Sequence, residues 1–132
     1  MFELHPQLQQ DCIVLGKLEL CHLLLVNDSN YPWFILVPDR VEISEIFQLD
    51  EADQKLLLSE STRLSQFLVK QFKADKLNIA ALGNVVPQLH VHHIVRYKQD
   101  VSWPKPVWGQ QPAQPYTQKR ISEIKALFAS FV

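Results

Sequence analysis

Apolar positions in the first half of the chain form two short runs, residues 20–26 and 33–37. The segment 27–32 between them is mostly polar and contains a proline. Short apolar runs on either side of a turn-forming segment are typical of an antiparallel β-hairpin. Pro38 follows the second run and is expected to end that strand, because proline has no N–H to donate to the ladder.

After Asp50 the apolar spacing becomes helical. Acidic Glu51 and Asp53 follow Asp50, which is a suitable N-cap, and both favour the positive end of a helix dipole. These features predict a long helix. The apolar residues that recur near the 3.6-residue period are Leu57, Leu64, Phe67, Leu68 and Phe72.

The second half of the chain predicts two strands, over residues 77–82 and 89–97. A segment rich in tryptophan and proline, residues 101–115, is expected to be an irregular arm. Apolar spacing predicts a C-terminal helix over residues 116–131. A long helix packed on a mostly antiparallel sheet is an α+β fold, and we expect a single domain over residues 1–132.

The composition is that of an ordinary globular protein and favours no acidic or basic partner. The chain has 132 residues, of which 47% are hydrophobic and 20% charged, with a net charge of -1. We therefore expect neither disorder nor nucleic-acid binding. No apolar run approaches a membrane span and the N-terminus lacks signal-peptide features, so a cytoplasmic location is expected. Cys12 and Cys21 match no zinc spacing and are interpreted as reduced thiols, with a disulfide or metal site as the alternative.

Histidines are concentrated in one alternating segment. Along an extended strand Gln88, His90 and His92 share one face, and His93 lies on the other. An imidazole can act as a nucleophile, a proton carrier or a metal ligand near neutral pH. Two of them on one face therefore mark a candidate site, although single histidines on strands are commonly structural.

Residues 88–94 resemble the signature of the histidine triad (HIT) family of nucleotide hydrolases and transferases, in which three histidines alternate with apolar residues. The predicted hairpin with Asn27 at its turn, the long helix and the Gly83 and Asn84 turn occur in the order expected of that fold. The motif core and the tryptophan–proline arm are similar to the bacterial branch described as diadenosine polyphosphate hydrolase-like.

The resemblance implies a role for each matching residue. His90 would attack the α-phosphorus of a nucleotide and form a covalent nucleotidyl-imidazole, and the Gln88 carbonyl would orient it. His92 would bind phosphate oxygens or assist the leaving group. Asn27 would contact the ribose and Asn84 a phosphate. No metal or cofactor is required, and the substrates implied are nucleotides, including dinucleoside polyphosphates, nucleoside phosphoramidates and adenylylated small molecules.

Three positions depart from the family pattern. Gln88 replaces the first histidine, Val85 stands where a hydroxyl residue is common, and Trp33 stands where many relatives carry a further histidine that takes part in proton relay. These changes leave a second hypothesis open, a catalytically weakened nucleotide-binding or regulatory module. A metal site that uses His90, His92 and His93 is a third, but strand alternation places His93 on the other face from His90 and His92, and no nearby Cys or carboxylate completes the set.

Three further expectations concern the surroundings of the motif. Arg96 is expected either to contact a phosphate or to lie solvated at the strand end. Trp103 and Trp108 are interpreted as packing the arm onto its own domain or a partner, with a substrate clamp as the alternative. The resemblance also implies a homodimer, formed through the central helix or the strand before the motif, and we expect no membrane association.

Overall fold

The chain folds around one five-stranded antiparallel sheet, and the computed structural model describes residues 1–132. The strands follow one another in the sheet in the order β1-β2-β3-β5-β4, and every neighbouring pair is antiparallel. The predicted hairpin and α+β class are thereby confirmed. The strands are β1 (Cys12–Lys17), β2 (Cys21–Val26), β3 (Trp33–Pro38), β4 (Lys76–Ala81) and β5 (Val91–Arg96).

Three α-helices and a short 3-10 helix complete the fold. The Asp50 side chain accepts a hydrogen bond from the Asp53 N–H at 2.8 Å, which confirms the predicted N-cap of the long helix. Thr117 caps the C-terminal helix in the same way, through the Arg120 N–H. The helices are α1 (Pro6–Asp11), α2 (Glu51–Phe72), α3 (Gln118–Phe128) and the 3-10 helix Ile46–Gln48. None of them is long and apolar enough to cross a membrane.

Different helices pack on the two faces of the sheet. Both α2 and α3 pack on one face, where Leu64, Leu68 and Phe128 join the inward residues of the strands in the main core. The other face carries a smaller apolar cluster in which Leu8 of α1 packs with Ile35 and neighbouring residues. This second face is only partly covered, and that leaves room for a cleft.

A buried carboxylate joins α2 to the sheet. Glu60 is 2% exposed and accepts hydrogen bonds from the N–H groups of Leu20 and Cys21, at 2.8 and 2.9 Å. These two N–H groups lie where the chain enters β2, and they bond to Glu60 instead of to a neighbouring strand. The helix thus fixes the start of the hairpin, and the hairpin in turn carries part of the candidate site.

The arm, residues 101–115, lies against the turn between β2 and β3. The Ser29 N–H donates to the Gln114 carbonyl at 2.6 Å, and the Gln114 N–H donates to Asp28 Oδ1 at 3.2 Å. The buried hydroxyls of Tyr31 and Ser102 also form a hydrogen bond. The arm is irregular in secondary structure, as predicted, but it is bonded to its own chain at several points.

Candidate active site

The two histidines predicted to share a face lie together on the sheet face opposite α2. His92 is the second residue of β5, and His90 lies just before the strand begins. Their ring centroids are 4.8 Å apart. Both line an apolar cleft of about 480 Å³, and its other walls include Leu8, Val26, Trp33, Ile35, Leu82 and Val86.

His90 is held with a lone pair available for attack. Its Nδ1 lies 2.7 Å from the Gln88 carbonyl oxygen. A carbonyl can only accept, so Nδ1 carries the proton and Nε2 carries the lone pair. Burial lowers the pKa of His90, and the Gln88 carbonyl offsets part of that effect. The ring is therefore neutral at neutral pH, which is the nucleophilic form.

His92 has the opposite tautomer. Its Nδ1 lies 2.9 Å from Nε1 of Trp33, and an indole nitrogen can only donate. The proton of neutral His92 is therefore on Nε2, which lies 3.4 Å from the Leu82 carbonyl oxygen. Burial and the adjacent His90 ring lower the pKa of His92 to about 4. His92 is a hydrogen-bond donor at neutral pH and carries no net charge.

The Gln88 side chain is occupied by the N-terminal segment. Its Oε1 accepts from the His5 N–H and its Nε2 donates to the Glu3 carbonyl, both at 2.9 Å. Its backbone carbonyl is the acceptor for His90, as the resemblance implied. The side chain at the first motif position is therefore bonded within the protein, and its backbone carbonyl orients the ring of His90.

A polar cavity of about 280 Å³ opens on the other side of His90. Asn84 lines both this cavity and the apolar cleft, the two spaces that His90 also lines. A Cβ atom added to Gly83 would lie 2.6 Å from the Val86 carbonyl oxygen. The turn that places Asn84 therefore requires a glycine at position 83. The polar cavity is lined also by Ser44, Glu45 and Gln88.

Asn27 lies in a neighbouring cavity of about 400 Å³ rather than beside the histidines. Its Oδ1 accepts from the Tyr116 N–H at 2.8 Å, which ties the hairpin turn to the segment before α3. Trp33 and Trp108 line both this cavity and the apolar cleft, so they form the boundary between the two spaces.

The expected position of Arg96 is corrected by the structure. The residue is 1% exposed, and its guanidinium donates to both carboxylate oxygens of Asp100, at 2.8 and 3.1 Å, and to Asn78 Oδ1 at 2.8 Å. It also lies near the rings of Tyr31 and Trp103. Arg96 lines none of the three cavities. A buried guanidinium needs an anionic partner, and Asp100 supplies it within the chain.

His93 lies on the α2 side of the sheet, as strand alternation predicted. It is 0% exposed, and its Nε2 lies 2.7 Å from Ser61 Oγ on α2. His90, His92 and His93 therefore cannot meet around one ion. No group of three or more His, Cys, Asp or Glu side chains is placed to hold a metal ion.

Trp108 is a site residue that the sequence analysis did not place beside a histidine. Its ring lies edge-on to His92 with centroids 5.1 Å apart, and 5.7 Å from the ring of Trp33. Both tryptophans thus pack against the ring of His92. No local pattern indicates this contact, because it depends on the path of the arm back across the sheet.

The cavities around the histidines contain no side chain with a permanent positive charge. No lysine or arginine lines the apolar cleft, the polar cavity or the neighbouring cavity. Acidic residues line each of them, namely Asp11, Asp28 and Glu45. An anionic ligand would therefore depend on neutral donors, and the His92 Nε2–H and the Asn84 amide line the same cleft as His90.

Comparison with known proteins gives a consistent picture. A family model described as the HIT domain matches residues 7–99. A histidine triad protein from Marinobacter aquaeolei VT8 is 50% identical, with 98% of this chain and 95% of that chain covered and a TM-score of 0.96.

Two further solved structures are similar over nearly their whole length. A histidine triad protein from Bradyrhizobium japonicum is 43% identical, over 98% of this chain and 96% of that chain, with a TM-score of 0.95. One from Sinorhizobium meliloti 1021 is 42% identical, over 100% and 98%, with a TM-score of 0.96. No curated protein sequence matches the chain.

Proposed function

The chain belongs to the HIT domain family, and on that premise we propose that it is a nucleotide phosphohydrolase or nucleotidyl transferase that acts through a covalent nucleotidyl-His90 intermediate. The observation that supports this proposal is the hydrogen bond of 2.7 Å between His90 Nδ1 and the Gln88 carbonyl. It leaves the Nε2 lone pair without a protein partner, at the edge of two cavities.

The proposed reaction has two steps. In the first, the Nε2 lone pair of His90 forms a bond to the α-phosphorus, and the bond from phosphorus to the leaving group breaks with its electron pair on the leaving atom. The Gln88 carbonyl stabilises the positive charge that develops on the ring. In the second, water or another acceptor attacks phosphorus, the P–N bond breaks, and its electron pair returns to Nε2 while the acceptor's proton passes to solvent.

The cavities suggest how a nucleotide would lie. The apolar cleft has the volume and lining expected for a nucleoside, and Asn84 and His92 can donate to phosphate oxygens at its edge. We propose Asn27 as a ribose contact only for a ligand that extends past Trp33 and Trp108. Dinucleoside polyphosphates, as in the diadenosine polyphosphate hydrolase-like branch, are long enough to occupy both spaces.

A nucleotide-binding or regulatory module is the second candidate. It is favoured by one observation: Trp33 donates to the nitrogen of His92 that a proton relay would use. Such a protein would bind a nucleotide at the same cleft and release it unchanged.

The two candidates differ in whether His90 becomes modified. We would incubate the protein with dinucleoside polyphosphates, nucleoside phosphoramidates and adenylylated small molecules, quench in alkali, and map adducts by mass spectrometry. A nucleotidyl group on His90 together with turnover supports the enzyme. Stoichiometric binding with neither adduct nor product supports the module. His22→Ala is the matched control, because His22 lies outside the cleft and pairs with Asp39.

We also propose a homodimer formed through β4 and α2. β4 is an outer strand of the sheet, and an unpaired strand edge needs cover. Ile79 on β4 is 51% exposed, Leu58 on α2 is 69% exposed, and a groove of about 480 Å³ runs between these elements. The same surface on a second copy would bury these side chains about a two-fold axis.

Light scattering tests the dimer. The expected mass is twice that of the chain at micromolar concentration, and Leu58→Glu should shift it to one chain. Val14→Glu is the control, because Val14 is also more than half exposed (54%) but lies on β1 at the opposite edge. A single-chain mass for the unmodified protein would contradict the proposal. A cytoplasmic location stays a prediction.

A further inference from the structure

We propose that Trp33 is a positioning residue that holds His92 as a hydrogen-bond donor unable to pass on a proton, so that the site acts on leaving groups that depart as anions and not on amines. The inference rests on the proposed covalent reaction at His90. It names the chemical class of substrate for that reaction. Phosphoric, carboxylic and phenolic leaving groups belong to the permitted class, and nucleoside phosphoramidates do not.

The position of the indole is set by the sheet. Trp33 is the first residue of β3 and pairs with Ile94 of β5, so its side chain emerges on the same face as His92. The indole N–H donates to His92 Nδ1 at 2.9 Å, and the ring centroids are 5.7 Å apart. Both strands lie inside the sheet, so the geometry of this bond is held by the fold rather than by a loop.

The bond determines what His92 can do chemically. A neutral histidine that gives up its Nε2 proton must receive a proton at Nδ1, since the imidazolate is otherwise too basic to form. Nδ1 of His92 faces the indole N–H, which is not an acid in water and cannot supply that proton. Trp108 packs edge-on against the same ring, and His92 is buried. His92 can therefore stabilise charge through Nε2–H but cannot complete a proton transfer.

No other titratable group that lines the apolar cleft is hydrogen-bonded to His90 or His92. Apart from the two histidines, the titratable residues that line it are Asp11 and Cys12. Asp11 accepts a hydrogen bond from Gln7 Nε2 at 2.8 Å. Burial raises the pKa of the Cys12 thiol to about 12, with a smaller contribution from Asp11. The polar cavity adds one further titratable residue, Glu45.

The consequence depends on the leaving atom. When the bond from phosphorus to an anhydride or aryl oxygen breaks, the oxygen keeps the electron pair as a stable anion, and a hydrogen bond from His92 Nε2–H suffices. When a P–N bond breaks, the nitrogen would leave as an amide anion unless a proton arrives with bond cleavage. Oxygen leaving groups therefore need only a hydrogen-bond donor at the position of His92, whereas nitrogen leaving groups need an acid there.

The first experiment is spectroscopic and does not depend on turnover. In ¹⁵N-labelled protein, long-range ¹H–¹⁵N spectra distinguish protonated from unprotonated ring nitrogens. We expect His92 to show a single tautomer with the proton on Nε2. Trp33→Phe keeps an aromatic ring but removes the donor, and should mix the tautomers of His92. Trp103→Phe is the matched control, because Trp103 packs on Arg96 and lies outside the cleft. Unchanged His92 signals in Trp33→Phe would overturn the proposal.

The second experiment tests the leaving-group limit, that is, whether the site accepts an oxygen leaving group but not a nitrogen one. Adenosine 5′-(4-nitrophenyl phosphate) and the corresponding anilide differ in whether oxygen or nitrogen leaves. Trp33→His places a titratable ring beside His92 Nδ1. We expect it to raise kcat/KM for the anilide relative to the ester by about 10²-fold, the lower range of general acid catalysis. An unchanged ratio, or a wild-type enzyme that prefers the anilide, would overturn the proposal.

The leaving-group limit and the covalent reaction at His90 are contradicted by different experimental outcomes. Efficient formation of a His90 adduct with both substrates would leave the covalent reaction in place and remove the leaving-group limit. Absence of any adduct or product with every nucleotide would remove the covalent reaction, and the limit with it. In that case the positioning role of Trp33 would still be supported if His92 has one tautomer in the wild type and a mixture of both tautomers in Trp33→Phe.

Discussion

His90 and His92 carry their ring protons on opposite nitrogen atoms, although their ring centroids are only 4.8 Å apart. The Gln88 carbonyl requires a proton on Nδ1 of His90, and the Trp33 indole requires a bare Nδ1 in His92. One ring therefore presents a lone pair and its neighbour presents a donor. A backbone acceptor and an indole are enough to give two identical side chains different chemistry.

The different tautomers predict unequal effects of mutation. His90→Ala should abolish turnover of a nucleotide substrate, because the covalent route is lost. His92→Ala should retain a measurable rate, reduced by about 10²–10³, the usual cost of one donor to a transition-state charge. Steady-state kinetics provide the measurement, with thermal melts to establish that both variants fold. Full activity of His90→Ala would contradict the covalent mechanism.

The activity should be insensitive to pH near neutrality and decline only in acid. The proposed reaction requires a neutral His90, and burial lowers the pKa of His90 below its ordinary value of 6.5. The rate should therefore fall as pH decreases through a value below 6.5. His92, with a pKa of about 4, stays neutral over most of this range, and nearby His5 only lowers the pKa of His90 further. A rate that rises on acidification toward pH 5 would contradict this assignment.

Buried His93 should make the fold sensitive to acid. Burial lowers its pKa to about 4, whereas the unfolded chain has the ordinary value of 6.5. The unfolded state then binds more protons between these values, so stability is full above about pH 6.5 and is lost as pH falls toward 4. The loss should reach at most about 3 kcal/mol. Urea unfolding of the wild type and His93→Gln at pH 7 and pH 5 measures it. An equal pH dependence in both proteins would show that other groups cause the effect.

Gly83→Ala should disturb the site more than the fold. The new Cβ would meet the Val86 carbonyl oxygen, a backbone atom that can move only with the turn, and Asn84 would move with it. We expect a higher KM for nucleotide with a modest change in melting temperature. Gly16→Ala is the control: its Cβ would meet only the side chain of Val132, which is half exposed at the chain end. Equal effects of the two variants on KM would contradict the assigned role of the turn.

Removing Asp100 should strongly destabilise the fold. Asp100 accepts two hydrogen bonds from Arg96, which is itself buried, and others from the N–H groups of Tyr97, Ser102 and Trp103. Burial alone would raise the pKa of Asp100, but these bonds lower it overall. Asp100→Ala should cost about 3–5 kcal/mol of unfolding free energy, because it leaves a buried charge unpaired.

The matched control for Asp100 is Glu123, whose pair with Arg120 is half exposed. Glu123→Ala should change stability by about 0–1 kcal/mol. Denaturant titration of the two variants measures both. Similar small losses would show that Arg96 finds another partner or is hydrated.

The elements that the sequence predicts well have strong, uninterrupted periodicity. The hairpin and α2 follow directly from apolar runs and from the 3.6-residue pattern after Asp50. By contrast, the sequence pattern predicts neither α1 nor β1. α1 has six residues, capped by the His5 side chain, and β1 is an edge strand whose pairing shifts register between Val14 and Gly16. Short elements with a bulge lack a periodic pattern long enough to detect.

The site was predictable where it depends on one strand and not where it depends on distant segments. Alternation correctly separates His93 from His92, even though His90 lies outside the strand itself. The burial of Arg96 and the contact of Trp108 with His92 depend on how the arm returns across the sheet. The two tryptophans of the arm, grouped together from sequence, have separate neighbours: Trp103 packs on Arg96 and Trp108 on His92.

The side-chain amide of Gln88 joins two parts of the chain that are far apart in sequence. It receives the His5 N–H and donates to the Glu3 carbonyl, from one planar group whose donor and acceptor lie side by side. An imidazole has its two nitrogens on different edges of a ring and could not replace both bonds at once. Gln88→His would therefore release the N-terminal segment from at least one of these two bonds. Both partners are backbone groups, so the position of the N-terminal segment depends on the side chain at position 88 and not on the side chains of residues 3–5.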